Sequence, residues 1–350
     1  MHNVKIGYYA HHHGSGHLQR AHLIARHMRS RLTIFTSAGD GGNSRSLAEI
    51  VTLPIDTDDR SREHNVTGLH YAPLALEGIA RRMSIMSSWF RDHWPCVLVV
   101  DVSVEVALFA RLHSVPVVYV RQNGARDDLP HRLAYAASSQ LLSPFPEALS
   151  TLRESDEWRE KTVYTDFISR FAPRTDSHEI DPHTVAVLIG KGGTSLSAKD
   201  MYEAAQATPH WRWTVLGPVD KPSKADCPEN IRFMGLVSSP GAILSRSEIV
   251  IGSAGDNVVA EMASLRARFI CFAEKRPFDE QSATGEMLAR LGLALFIKEW
   301  PDASFWPALL ARAAKFDCKR WDNVGAGGAR KAALVIQNLA NRFEREGALP

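Results

Sequence analysis

Three glycine-rich turns follow apolar runs that are typical of buried strands, and a stretch of helical character follows each turn. The turns lie at residues 14–17, 190–195 and 252–256. Glycine lets backbone N–H groups approach a phosphate closely, and the start of the following helix adds positive charge. Because one turn lies in the first half of the chain and two lie in the second, the pattern predicts a diphosphate-bearing ligand in a cleft between two α/β domains.

None of the turns has the spacing of a P-loop, and none reads G-x-G-x-x-G with an acidic residue placed for a dinucleotide ribose. The pattern therefore disfavours a simple NTPase and a dehydrogenase. Glu261 lies about one and a half turns into the helix predicted after Gly255. From there a carboxylate can accept hydrogen bonds from vicinal ribose hydroxyls while the helix start holds the diphosphate. An exposed helix glutamate has the same spacing, so the spacing alone leaves both interpretations open.

Length and charge narrow the class of protein. The 350 residues predict two domains. Lys and Arg (41) nearly balance Asp and Glu (39), and no run of like charges is typical of nucleic-acid binding, so an anionic small molecule is the expected partner. The four cysteines are isolated, which favours reduced thiols over zinc or disulfides. Without a signal peptide or an apolar run of transmembrane length, the expected location is the cytoplasm.

Strand-like and helix-like runs alternate along both halves of the chain, and a charged, proline-containing stretch at residues 171–183 separates the halves. Repeated βαβ units predict an α/β fold with two parallel sheets covered by helices. Residues 37–71 are expected to form loops beside the ligand cleft. The final apolar periodicity, from about residue 328, predicts a closing helix.

The motifs, in their order along nearly the whole chain, resemble the family 28 glycosyltransferases, and the peptidoglycan-precursor N-acetylglucosaminyltransferases of that family are the most similar in motif order. The resemblance is carried by residues 14–17, 115–118, 121–124, 145–146, 190–195, 254–255 with Glu261, and 279–281. It implies the GT-B fold, which has two Rossmann-like domains with parallel sheets facing a central cleft. It also implies a UDP-sugar co-substrate and no other cofactor. The predicted domains are an acceptor-side domain (1–168), a nucleotide-sugar domain (169–327) and a C-terminal helix (328–350) that packs back on the first domain.

The resemblance also implies roles for single residues. Glu261 falls on the ribose-binding Glu, Gln281 on the Gln that binds sugar hydroxyls, and His17 on the His of the glycine turn. The implied donor-binding residues are Gly16, Gly192, Gly193, Thr194, Met234, Leu236, Ala254, Gly255, Asp256, Asn257, Glu261, Glu280 and Gln281. The implied acceptor-side residues are Arg121, Gln122 and Asn123.

The chain departs from the family at several of its motifs. Arg121 stands where the family has an acidic residue, Ser253 where it has Arg, and Ser282 where it has a second Gln. Residues 101–105 replace the glycine-rich stretch of the acceptor side. The resemblance is therefore stronger for the donor than for the acceptor, and a lipid-linked peptidoglycan substrate is not inferred.

The implied reaction is displacement at the anomeric carbon, in which backbone N–H groups and helix ends can stabilise the leaving diphosphate without a metal. His17 can accept the proton of the acceptor hydroxyl, or it can cap the helix or contact phosphate. Asp101, at the carboxyl end of a strand, can orient His17 or the acceptor, or it can cap the next helix. Strand alternation would place His12 on the opposite face from His11 and His13, so no metal site is predicted.

The expected function is a metal-independent hexosyl- or N-acetylhexosaminyltransferase with an unidentified glycan, lipid-linked or small-molecule acceptor. A UDP-sugar hydrolase and a non-catalytic nucleotide-sugar-binding protein are the alternatives. The predicted helix at 74–93 carries Arg81 and Arg82 among apolar residues. It can rest on anionic lipid at the inner membrane face, or it can be a core helix with two exposed arginines; the sequence leaves both open.

Overall fold

The computed structural model describes residues 4–12, 16–39, 47–57, 66–151, 157–174, 179–219, 227–325 and 327–346. Gly14 and Ser15 of the first glycine turn lie outside the described residues, as do parts of the predicted loops at 37–71.

Within the described residues, the first domain has a seven-stranded parallel sheet. Its strands are β1 Lys5–Ala10, β2 Leu32–Thr36, β3 Ala48–Thr52, β4 Cys96–Asp101, β5 Val117–Val120, β6 Gln140–Ser143 and β7 Thr162–Tyr164. Their spatial order is β3-β2-β1-β4-β5-β6-β7. The helices are α1 Gly16–Ala25, α2 Glu77–Asp92, α3 Val104–Leu112 and α4 Leu129–Ala137.

The second domain has a six-stranded parallel sheet in the order β10-β9-β8-β11-β12-β13. These strands are β8 Asp181–Leu188, β9 Arg212–Leu216, β10 Ile231–Gly235, β11 Ser247–Ser253, β12 Phe269–Phe272 and β13 Leu295–Ile297. Its helices are α5 Ala198–Gln206, α6 Gly241–Arg246, α7 Asp256–Leu265, α8 Glu280–Arg290 and α9 Trp306–Ala314, and the chain continues into α10 Gly328–Glu346. The predicted α/β fold with two parallel sheets is confirmed.

Both faces of the first sheet are buried, which explains its continuous apolar strands. Val97 and Val99 of β4 face a core that α1 and α10 complete, whereas Leu98 and Val100 face a core completed by α2, α3 and α4. The last helix thus belongs to the packing of the first domain although it follows the second in the chain.

The chain passes between the domains at two neighbouring places. One is the connection from β7 to β8, in which the predicted boundary at 168/169 lies. The other leads into α10, where the backbone N–H of Gly328 donates to the carbonyl of Phe167 at 3.1 Å. Lys331 of α10 forms an ion pair with Asp166. The two connections are therefore joined directly to each other.

Helix α2 is a core helix. It buries Met86, Trp89, Phe90 and also Arg82, which pairs with Asp56. The sequence-based picture of two exposed arginines is wrong for Arg82, because the buried carboxylate of Asp56 compensates its charge. None of the helices in the described ranges is long and apolar enough to span a bilayer.

Candidate active site in the interdomain cleft

The candidate site lies where three neighbouring strands of the first sheet end. Ala10 of β1 is paired with Asp101 of β4, and Asp101 is paired with Val120 of β5. Carboxyl ends of parallel strands form the binding edge of such sheets. His17, on the first turn of α1, therefore comes to lie beside Asp101.

Asp101 is fully buried and holds His17 by a hydrogen bond of 2.9 Å between Nδ1 and Oδ1. The Tyr8 hydroxyl donates to Oδ2 at 2.8 Å, and Arg20 Nη1 donates to both oxygens at 2.9 and 3.1 Å. Burial acts to raise the pKa of Asp101, but the charges of Arg20 and His17 outweigh it and lower the pKa to about 2. The carboxylate is thus ionised at neutral pH, and Nδ1 of His17 is the donor in this pair.

This arrangement bears on the two roles open for Asp101. Helix α3 is capped by Ser103, whose Oγ accepts from the backbone N–H of Val106 at 3.2 Å. The side chain of Asp101 contacts His17 instead of the next helix, which favours the orienting role.

The start of α7 meets the start of α1 across the domain interface. A Cβ atom on Gly16 would lie 2.2 Å from Nδ2 of Asn257, so only glycine allows this approach without moving the amide. Gly255 precedes α7 and has no side chain to cap it, which leaves the first N–H groups for other acceptors. Two positive helix ends therefore converge here, which favours the binding of an anion such as a diphosphate.

Glu280 and Asp256 add negative charge to the same region. Burial and the charge of Asp256 raise the pKa of Glu280 to about 7. Arg126 of the first domain donates to Glu280 at 2.8 Å, and its guanidinium lies 4.9 Å from the ring centroid of Phe278. This ion pair between Arg126 and Glu280 joins the two domains.

The second glycine turn is held by Glu274, which is buried. Thr194 and Ser195 both donate to its carboxylate, and its backbone N–H donates to Gln281 Oε1 at 2.8 Å. Gly192 and Gly193 are exposed, and Arg276 donates to the carbonyl of Gly192 at 3.0 Å. The predicted residues Thr194 and Gln281 are thus brought together by Glu274, which the sequence reasoning missed.

Glu261 is buried and forms an ion pair with Arg170, with Nε and Oε1 2.7 Å apart. Burial raises the pKa of Glu261 in spite of this partner. The alternative of an exposed helix glutamate is excluded. A carboxylate has about four lone-pair positions, so ribose hydroxyls can still bind beside the guanidinium.

The remaining predicted donor residues lie at strand ends of the second sheet. Met234 and Leu236 are exposed at the end of β10, whereas Ala254 is buried directly after β11. Their backbone groups can therefore border the cleft, but their predicted contacts with uracil and diphosphate stay predictions.

The predicted acceptor residues follow β5 and lie at the domain interface. Arg121 and Asn123 are buried, and Asn123 accepts from the backbone N–H of Thr151 at 3.2 Å. Gln122 accepts from Arg126 at 2.8 Å. Across the interface, Asn123 Nδ2 donates to Thr284 Oγ1 of the second domain at 3.5 Å. The segment therefore contributes to the domain interface, and its contact with an acceptor stays a prediction.

His11 and His12 lie side by side, with ring centroids 4.7 Å apart, so the expected placement of these two on opposite faces is wrong, because β1 ends at Ala10. His13 lies outside the described residues. Together with Asp56, His11 and His12 form one of two His/Asp groups with ligand spacing among the described residues; His70, Asp128 and His131 form the other. Arg82 on Asp56 and Arg126 on His131 place a cation beside each group, which opposes metal binding.

Sequence reasoning also missed Arg20, Tyr8, Arg126 and Arg170. A signal existed for Arg20, because it lies three residues after His17 on one helix and interrupts an apolar face.

The two sheets and the cleft between them define the class: the chain has the GT-B fold of glycosyltransferases. MurG of Acinetobacter baumannii is similar over 97% of this chain and 99% of its own, at 16% identity and a TM-score of 0.62. A UDP-glucosyltransferase from Polygonum tinctorium covers 97% and 99%, at 12% identity and a TM-score of 0.69. LpCGTa in complex with UDP covers 97% and 99%, at 16% identity and a TM-score of 0.68. No family model matches the sequence, and no curated protein does.

Proposed function

We propose that this protein is a metal-independent glycosyltransferase that moves a hexosyl or N-acetylhexosaminyl group from a UDP-sugar to a hydroxyl acceptor. The observation that carries the proposal is the His17–Asp101 pair, which lies opposite the uncapped start of α7 across the interdomain cleft. A base on one domain and an anion-binding helix end on the other are the two groups that this reaction needs.

In the proposed reaction the acceptor oxygen attacks the anomeric carbon, and the bond from that carbon to the diphosphate oxygen breaks. The acceptor proton passes to Nε2 of His17, because Asp101 occupies Nδ1. The ionised Asp101 stabilises the imidazolium that forms. Negative charge accumulates on the departing UDP, where the N–H groups of α7 stabilise it.

The two domains divide the substrates in this proposal. Uridine binds at the end of β10, and the ribose binds at Glu261 beside Arg170. Glu280 and Gln281, at the start of α8, bind sugar hydroxyls. The acceptor approaches from the first domain, where β1, β4 and β5 end.

The test is release of UDP from a panel of nucleotide sugars, with and without acceptors from cell extract and with and without EDTA. Release that requires an acceptor and survives EDTA supports the proposal. Release without any acceptor indicates hydrolysis, and binding without release indicates a non-catalytic protein. Either result contradicts the proposal.

A further inference from the structure

Arg20 lies between two carboxylates that belong to different domains. Its side chain is 3% exposed; Nη1 donates to Asp101 in the first domain, and Nη2 donates to Asp256 Oδ2 in the second at 3.1 Å. A buried cation needs such partners, but one carboxylate would satisfy most of that need. The second partner stands at the start of α7 and can remain in contact only while α7 lies against α1.

We propose that Arg20 is a positioning residue that couples the closure of the two domains to the strength of His17 as a base. This inference rests on the proposed function. Arg20 is buried and both of its terminal nitrogens are engaged by protein carboxylates, so it acts through Asp101 and Asp256 and not by contact with substrate.

The sign of the coupling follows from the charges. In the closed arrangement Asp101, Arg20 and Asp256 carry a net charge of −1 next to His17. When α7 moves away, Asp101 and Arg20 remain with a net charge of zero. The closed arrangement therefore stabilises the imidazolium more, and His17 accepts a proton more readily once the donor domain is in place.

Other titratable side chains lie close to His17, and they have to be considered when its titration is interpreted. Tyr8 stays neutral, because burial raises its pKa well above the usual value. Burial and the charge of Asp256 raise the pKa of Glu280 to about 7, and the ring of His11 lies 6.2 Å from that of His17. Each variant is therefore made both with Glu280 intact and with Glu280→Gln, so that the titration of Glu280 can be separated from that of His17.

The test compares two substitutions that have opposite electrostatic effects. Arg20→Met removes a positive charge, so the acidic limb of the kcat/KM profile should move to higher pH. Asp256→Asn removes a negative charge, so the limb should move to lower pH, with kcat reduced by about 3- to 10-fold. Arg20→Lys keeps the charge and should leave the limb near its original position. Arg26→Met, at an exposed arginine just beyond α1, is the matched control.

The same shifts are measured without turnover by following the ring-nitrogen NMR signals of His17 against pH. Opposite shifts of the titration midpoint in the two variants support the coupling, and this readout stands even if no nucleotide sugar is turned over. Shifts in the same direction, or an unchanged midpoint in Asp256→Asn, overturn it. If Arg20→Met does not fold, the titration midpoints of His17 in Asp256→Asn and Arg20→Lys decide whether the coupling exists.

Discussion

Nδ1 of His17 lies 2.9 Å from Oδ1 of Asp101, although 84 positions separate the two residues in the chain. The contact fixes which ring nitrogen is available for chemistry. An ionised carboxylate can only accept a hydrogen bond, so Nδ1 carries the proton and Nε2 keeps a lone pair. The geometry thus presents His17 as a proton acceptor and not as a donor.

Replacing His17 with Ala should lower turnover by about 100-fold or more and leave affinity for UDP nearly unchanged, because proton transfer belongs to the transition state. The acidic limb of the pH–rate profile should disappear as well. Steady-state kinetics and UDP titration measure both effects, with His27→Ala at an exposed site as the control. Near-normal turnover would exclude His17 as the base, and a joint loss of affinity and turnover would make it a phosphate contact.

Uridine nucleotides should stabilise the protein against heat more than ADP or GDP do. The backbone around Phe233 and Gly235 can form hydrogen bonds with a pyrimidine edge, whereas a purine needs more space. At 100 times the Kd, bound UDP adds about 2.7 kcal/mol to the free energy of unfolding. Melting temperatures with each nucleotide at equal concentration check this, and equal stabilisation by a purine nucleotide contradicts the assignment.

Replacing Glu261 with Ala should weaken UDP binding by about 1–3 kcal/mol, the range for hydrogen bonds to a charged group. Arg170→Gln is the matched control, because it removes the partner of Glu261 but keeps the carboxylate. If the ribose contacts Glu261, calorimetry will show a larger loss of affinity for Glu261→Ala than for Arg170→Gln. Equal affinities would make the glutamate a structural partner of Arg170.

Glu280 should make stability depend on pH. Its pKa rises from 4.5 to about 7 on folding. The contribution of Glu280 to the free energy of unfolding is therefore fully present below about pH 4.5 and is lost as the pH rises through about 7. Gln in place of Glu280 mimics the neutral acid. The free energy of unfolding of Glu280→Gln, relative to that of the wild type, should therefore increase by about 1–3 kcal/mol between about pH 5 and pH 8. Melting curves of both proteins across that range measure the difference. A constant difference would show that Glu280 titrates alike in the folded and unfolded chains.

The alternation of elements and the two cores could be predicted because strands such as β4 are apolar on both faces, and sequence periodicity shows this directly. Strand β3 was missed inside the predicted loops: its sequence, Ala48–Thr52, contains Glu49 and only partly buried Ile50 and Val51. An edge strand of this kind carries little periodic signal.

In the site, His17 and Asp101 could be predicted from their places at a helix start and a strand end. Their ionic partners could not, because nothing near Asp256 in sequence indicates that Arg20 lies opposite it. Asp56 and Arg82 show the same difficulty. They form a buried ion pair, but because they lie in distant segments the sequence predicts two separate exposed charges. Sequence therefore indicates where functional groups stand on a fold more readily than which groups neutralise them.

The segment that leads into helix α10 and the segment after β7 cross between the domains next to each other, joined where Gly328 contacts Phe167 and where Lys331 pairs with Asp166. The chain passes from the first domain to the second at one crossing and returns at the other. Two adjacent connections that are bonded to each other restrict the movement of one domain relative to the other more than a single linker would. The position of α1 relative to α7 is therefore constrained by the covalent chain as well as by the contact between Arg20 and Asp256.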